Sequence, residues 1–319
     1  PGVVEGAAWF EAENHGVLAD PRLRIVRDDI GSFLRTTRER YQVISADEKT
    51  ADEFASNGFS YSVDYYELLA DHLADGGVVV QWVPATLPPR QFQMILKSFS
   101  ESFEHMQLWY FLPAYRMGPF NAVLVGSNDA IALDYQTVQD RFERRSEALA
   151  SLRPYGLTSA VALLPHFVAG DEIVRSEVAS APVNTLDHPR YEFYHPWDYA
   201  ADRKGKILAN HVFMLDLKRQ AHGGFFEQVT ATAPDRARLQ NTFAAEFRYL
   251  ESFAKFIDGL SAPDHFRLFD RVLEIAPWND SLRARIYAQY RFLAESRRDP
   301  GERAMLMRRA TALYPERRD

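Results

Sequence analysis

The 319-residue sequence contains no cysteine. That excludes disulfides and thiolate-rich metal sites, and it leaves the redox compartment unread. No apolar run approaches the roughly 20 residues that span a bilayer, and no secretory leader pattern opens the chain. Basic residues are in deficit: 37 Lys and Arg stand against 44 Asp and Glu, for a net charge of −7. Nucleic-acid binding needs a clustered basic face, so no nucleic-acid partner is expected, and a cationic or neutral partner suits the charge better. The Arg-rich stretch from Arg297-Arg298 to Arg317-Arg318 alternates with acids and reads as a solvated helix face. There is no Gly-x-Ser-x-Gly and no phosphate-binding P-loop. The nine histidines are scattered, and His188 and His195 lack a ligand spacing, so no metal site is expected.

What is present is a globular composition, 46% apolar and 25% charged, long enough for one large domain or two ordinary ones. The chain opens on "PGVVEGAAWF", without Met and already in helical rhythm, and is expected to be a fragment or a processed piece. Val4, Ala7, Ala8 and Phe10 predict a helix over 3–14. "LRIVR" (23–27) reads as a strand, "IGSFLRTTRERY" as a short helix and "YQVISA" as a second strand. Ser62 can cap a helix through Tyr65, Tyr66, Leu68, Leu69 and Leu73, ended by Gly76-Gly77. "VVVQWV" (78–83) is continuously apolar, as buried parallel strands are. Pro88-Pro89 opens a helix with Phe92, Ile95, Leu96, Phe99 and Phe103 on one face. "MQLWYFL" and "FNAVLVGS" leave no room for a helix between them and predict an antiparallel edge pair. Strand–helix alternation implies an α/β sheet. A helical run over 135–152 and the turn-rich "APVNTLDHPRYEF" follow. Beyond about Asp202 only amphipathic helices remain, and Pro277 and Pro315 stand 38 residues apart at similar helix ends. That interval suits a tetratricopeptide-like repeat and equally an irregular bundle. The expected domains are 1–200, an α/β sheet domain, and 201–319, an all-α helical extension.

The ordered segments from Pro1 to Ser127 resemble the spermidine synthases and related aminopropyltransferases. "IVRDDIGSFL" is similar to the family's V-x-G-D-G-x-x-F-L turn, and "YQVISAD" to its D-V-I-I-x-D strand end. "YSVDYYELLADHLADGGVVVQWV" is similar to its hydroxyl-x-x-x-Tyr/Phe-Tyr helix, Gly-rich turn and strand ending in Gln. "FLPAYRMGPFNAVLVGS" resembles its Pro-x-Tyr hairpin. "APVNTLDHPRYEF" is closest to the N-T-D-D-x-P-x-L-E-F stretch of the subgroup fused to membrane segments. The resemblance implies a Rossmann-like sheet of the S-adenosylmethionine-transferase type. It also implies that the family's G-x-G-x-G nucleoside turn would precede Pro1, so the chain is expected to lack the sheet's first strands and to be inactive alone.

The family reaction displaces methylthioadenosine from decarboxylated S-adenosylmethionine by an amine. The co-substrate implied is decarboxylated S-adenosylmethionine, or S-adenosylmethionine, in the intact parent, and no tightly bound cofactor is expected. The attacking amine must lose a proton and be positioned. The resemblance makes Asp47 the base or amine anchor, and Gln81 and Tyr115 neighbours of the amine. It makes Asp29 the acceptor of the adenine amino group, with Ile30 along the ring. Two departures stand out. Lys49 and Thr50 occupy positions where the family carries a second acid and its neighbour, leaving Asp52 as its substitute, and an ammonium there would repel a cationic amine. The glycines flanking the turn's acid are replaced by Asp28 and Ile30. Asn184, Thr185, Asp187 and Glu192 match the subgroup stretch in a structural, loop-closing role; Tyr65 and Tyr66 are packing residues.

Two functions follow: an aminopropyltransferase, or a binding or regulatory module that kept the fold and lost the reaction. A methyltransferase of the same broad fold fits the order of motifs less well. The expected partners are a small-molecule amine, and either a homodimer mate or a protein docked on the helical extension. The chain itself is expected not to insert into a membrane. By resemblance it belongs in the cytoplasm, on a membrane-fused parent.

Overall fold

A computed structural model describes residues 2–46, 58–112, 120–193, 202–259 and 262–314. The chain divides into two compact units, Pro1–Glu39 and Arg40–Asp319.

The first unit holds two short helices. α1 (Gly2–Ala7) passes into a single 3-10 turn, Ala8–Phe10. The helix expected over 3–14 therefore stops early, and the Asn14 side chain returns to cap the Ala7 carbonyl at 2.7 Å. α2 (Ile30–Thr36) starts at Asp29, whose carboxylate accepts from the Ser32 amide at 2.9 Å. Residues 23–27 take no regular secondary structure, so the expected strand does not form. An apolar pentapeptide becomes a strand only when a neighbour takes its backbone groups, and no described ladder includes it.

The second unit is built on a five-stranded sheet. β1 (Tyr41–Ala46) lies parallel to β2 (Leu73–Pro84), with Val43 opposite Val78 and Ala46 opposite Gln81. β3 (His105–Phe111) and β4 (Asn121–Ser127) form the antiparallel hairpin, His105 against Ser127 through Phe111 against Asn121. β4 returns between β2 and β3, and pairs antiparallel with β2. The short β6 (Phe167–Gly170) closes the far edge, giving the order β1-β2-β4-β3-β6. With helices crossing between its strands, this mixed sheet is Rossmann-like. A separate two-stranded pair joins β5 (Leu133–Asp134) to β7 (Val229–Thr230).

Local chemistry accounts for the crossings. Ser62 Oγ accepts from the Tyr65 amide and starts α3 (Val63–Asp71), which buries Tyr65, Tyr66, Leu69 and Ala70. α3 ends at Asp71, with His72 as its C-cap, earlier than the glycine pair, because β2 already begins pairing at Leu73 opposite Tyr41. Pro89 sits in the first turn of α4 (Pro89–Ser102), where its missing N–H costs nothing. Phe92, Ile95, Leu96 and Phe99 form the buried stripe of α4, and Phe99 meets Tyr66 edge-on at 5.0 Å. α5 (Tyr135–Arg144) is shorter than the expected 135–152; the chain continues as turns and a 3-10 segment, Ala150–Tyr155. α6 (Ala160–Leu163) and α7 (Asp171–Glu177) flank β6.

Gly156 ends that 3-10 segment at φ +68°, and a Cβ there would lie 2.4 Å from the Asp280 carbonyl oxygen. Gly156→Ala combines left-handed strain with a backbone clash that no side-chain rotation relieves. It is expected to cost about 2 kcal/mol or more in a denaturant titration; an unchanged midpoint would contradict this packing.

The remaining helices are α8 (Arg203–Gln228), α9 (Ala233–Ile257), α10 (Ala262–Ile275), α11 (Asp280–Ser296) and α12 (Pro300–Leu313). α9 packs with α10 and α11 with α12. α8 is tied to the sheet by buried polar side chains. Asn210 donates to the Ala85 and Leu87 carbonyls at 2.9 and 2.7 Å. His211 donates through Nε2 to the Leu250 carbonyl at 2.8 Å and accepts the Tyr110 hydroxyl at Nδ1. Lys218 donates to the Pro165 and Phe167 carbonyls and sits 3.7 Å over the Phe243 ring. No helix among the described residues is long and apolar enough to cross a membrane.

Candidate active site at the carboxyl ends of β1 and β2

Parallel strands bring their carboxyl ends to one edge, and in open α/β sheets that edge is where ligands bind. β1 ends at the buried Ala46, so Asp47, next in sequence, follows directly from this edge. Asp47, Asp52 and Tyr115, together with Lys49 and Thr50, lie outside the described residues.

Gln81 is described, and its setting is unusual. It stands opposite Ala46 in β2, on the strand face that also buries Val79 and Val83. Its side chain has no solvent exposure, and neither amide atom finds a hydrogen-bond partner among the described residues. A buried primary amide left unpaired costs about 1–3 kcal/mol per group. Such a group beside a strand end is suited to a polar ligand.

The turn-rich stretch after α7 braces the entry to α3. Asn184 is buried and fully engaged. Its amide N–H donates to Ser98 Oγ at 2.9 Å, its side chain donates to the Gly58 carbonyl at 2.7 Å, and its Oδ1 accepts from the Tyr191 amide at 3.0 Å. Its carbonyl accepts from the Val63 amide at 3.0 Å. Glu192 Oε1 accepts the Gly58 amide at 3.1 Å, and Asp64 accepts the Leu186 amide at 2.8 Å. Thr185 Oγ1 accepts the His188 amide within the turn. These bonds hold Gly58, the first described residue after Asp47–Asn57, against α3 and α4. Gln91 of α4 joins them by donating to the Tyr191 carbonyl at 3.3 Å. Gln91 escaped the sequence reading because a Gln beside Phe92 looks like the solvated side of an amphipathic helix.

Asp29 and Ile30 belong to the first unit. Asp29 is exposed and serves as the N-cap of α2; Ile30 opens that helix at 42% exposure. No cluster of three or more potential metal ligands occurs among the described residues.

Residues 2–134, which contain this strand edge, match the family model described as the spermine/spermidine synthase domain. This segment is spermidine synthase-like. Over 116 residues the chain is 32% identical to polyamine aminopropyltransferase 2 and to polyamine aminopropyltransferase 1 of Ralstonia nicotianae. That covers 35% of the chain and 20% and 19% of the two relatives, so the match spans about a fifth of their length. Polyamine aminopropyltransferase 1 of Streptomyces coelicolor is 37% identical over 86 residues, 27% of the chain and 16% of that relative. The spermidine synthase-like segment ends at β5, so the helices from α5 onward lie beyond the match.

Proposed function

We propose that the spermidine synthase-like segment forms the amine side of an aminopropyl-transfer site. The observation that carries the reading is Gln81, a buried amide without a described partner, opposite the strand end that leads into Asp47. In this reading Asp47 takes the proton of the attacking amine. The amine nitrogen forms the new C–N bond to the aminopropyl carbon of decarboxylated S-adenosylmethionine. The C–S bond breaks with its electrons on sulfur, and methylthioadenosine leaves. Gln81, Tyr115 and Asp52 orient the amine, while Asp29 and Ile30 contact the nucleoside. The co-substrate is not retained between turnovers, and a homodimer or a docked partner on the helical extension belongs to the same proposal.

A second reading, a binding or regulatory module, is favoured by one observation: Asp29 is already spent on capping α2, and its flanking positions are Asp28 and Ile30 instead of glycine.

The test uses the full-length protein that carries this sequence, incubated with decarboxylated S-adenosylmethionine and a panel of diamines. Amine-dependent release of methylthioadenosine is expected, and Asp47→Asn should slow it at least about tenfold, the low side of a general-base contribution. Binding of the nucleoside by calorimetry without turnover would favour the second reading. An Asp47→Asn rate equal to the parent's would remove Asp47 as the base.

A further inference from the structure

A cavity lies where the spermidine synthase-like segment's strands β2, β3 and β4 meet α11. It measures about 370 Å³, within the range of small-molecule sites. Its aromatic walls are Trp82 of β2, Phe111 of β3 and Tyr155, and its polar lining is Asn121 of β4, His166 and Arg285 of α11.

Three of the lining residues have buried polar atoms with no partner among the described residues: Trp82 Nε1, Asn121 Oδ1 and His166 Nε2. His166 is 3% exposed and stacks on Phe111 at 4.6 Å between ring centres. Its Nδ1 lies 3.2 Å from the Tyr110 carbonyl oxygen, which can only accept, so Nδ1 carries the proton and Nε2 presents a lone pair. Burial keeps the ring neutral by pushing its pKa down to about 4. Trp82 Nε1–H is only a donor. Arg285 uses one N–H of each terminal nitrogen on Glu246 and its Nε on the Ser281 carbonyl, which leaves two further N–H groups. Arg285 pairs with Glu246, the one buried carboxylate among the described residues. The cavity thus presents N–H donors on Trp82 and Arg285, acceptors without a donor, and flat apolar walls.

We propose that this cavity binds a small aromatic carboxylate bearing a hydroxyl group. The carboxylate receives the Trp82 indole N–H and the remaining Arg285 N–H groups. The hydroxyl donates to His166 Nε2 or Asn121 Oδ1. The ring lies among Phe111, Trp82 and Tyr155. The indole donor and one of the two acceptors are then satisfied, which water alone does less well beside three aromatic walls.

The test is calorimetric titration of the intact chain with 4-hydroxybenzoate and 3-(4-hydroxyphenyl)propionate, up to roughly millimolar ligand. Binding is expected. Benzoate, without the hydroxyl, and 4-hydroxybenzamide, without the charge, should each bind about tenfold more weakly, as loss of one buried hydrogen bond predicts. Trp82→Phe keeps the ring and removes the donor, so it should weaken binding about tenfold with an unchanged unfolding midpoint. If that variant fails to fold, Asn121→Asp should weaken binding through charge repulsion. No heat with either hydroxylated acid overturns the proposal, and so does an affinity that both variants leave unchanged.

Discussion

Replacing Arg285 by Met is expected to lower the unfolding free energy by about 3–5 kcal/mol. Glu246 is 1% exposed and receives a two-pronged hydrogen bond from Arg285, Nη1 to Oε1 at 2.8 Å and Nη2 to Oε2. Burial by itself would raise the Glu246 carboxyl; the Arg285 guanidinium, with His166 beside it, holds it down to about 2. Removing the arginine leaves a buried carboxylate beside the His166 ring, 3.7 Å away and neutral at pH 7. Lys218 adds a favourable but more distant charge. Arg285 also lies 4.6 Å over the Tyr249 ring, so the long Met side chain keeps part of the packing and isolates the charge effect. The double variant Arg285→Met with Glu246→Gln should recover much of the loss, because the uncompensated charge is then gone. Urea titrations of the single and double variants decide this. A single-variant cost under about 1 kcal/mol, or strictly additive costs, would show that the pair is not what holds α9 to α11.

The second large effect is a loss of stability in mild acid. His166, His211 and His265 are all buried, and burial pushes each ring from its ordinary value of 6.5 down to about 4. The unfolded chain takes up these protons near pH 6.5, while the folded chain resists until about pH 4. The unfolded state therefore binds more protons in that window, and stability falls as pH falls. Each histidine contributes a slope of at most about 1.4 kcal/mol per pH unit, so the three together reach about 4. Glu246 adds to the acid side below its ordinary 4.5. Lys218 acts at the other end. Burial lowers its pKa from 10.5 to about 7, so between those values the unfolded chain holds a proton that the folded chain has released, and stability rises with pH. Tyr110 and Tyr249, both raised by burial, reverse that rise above about pH 10. Urea midpoints measured from pH 4 to 10 should climb steeply up to about 6.5 and continue upward past 7. A flat profile between 4 and 6.5 would mean the rings are hydrated in solution.

Some of this architecture is plain in the chain itself. α4 declares itself through Pro89 and the spacing of Phe92, Ile95, Leu96 and Phe99, all of which are local facts. β2 does so through its continuous apolar run, and β3 and β4 through two apolar runs too close to admit a helix. The resemblance across Pro1 to Ser127 was legible as an order of motifs, and the match over residues 2–134 covers that stretch. Residues 23–27 and β6 show the limit. Both are short apolar runs, yet only Phe167–Gly170 finds a partner, the edge of β3. Strand formation is decided by a neighbour distant in sequence, and composition does not report it.

The candidate site divides the same way. Which residue types stand near the strand ends, Asp47 after Ala46 and Gln81 in the apolar run, is a property of the sequence. That Gln81 is sealed from water opposite Ala46 is a property of the sheet. The charged interior was the least legible part. Ile207, His211, Met214, Lys218, Ala221 and Phe225 recur at helical spacing on α8, which puts a histidine and a lysine on the apolar stripe. That was the one local hint, and it reads equally well as a lysine reaching for solvent. Only the tertiary structure brings the Pro165 and Phe167 carbonyls to Lys218, and Arg285 to a glutamate 39 residues away. Periodicity determined where helices and strands could form. Desolvation, which depends on what lies across the interface, decided which polar groups are buried, paired or left open to a ligand.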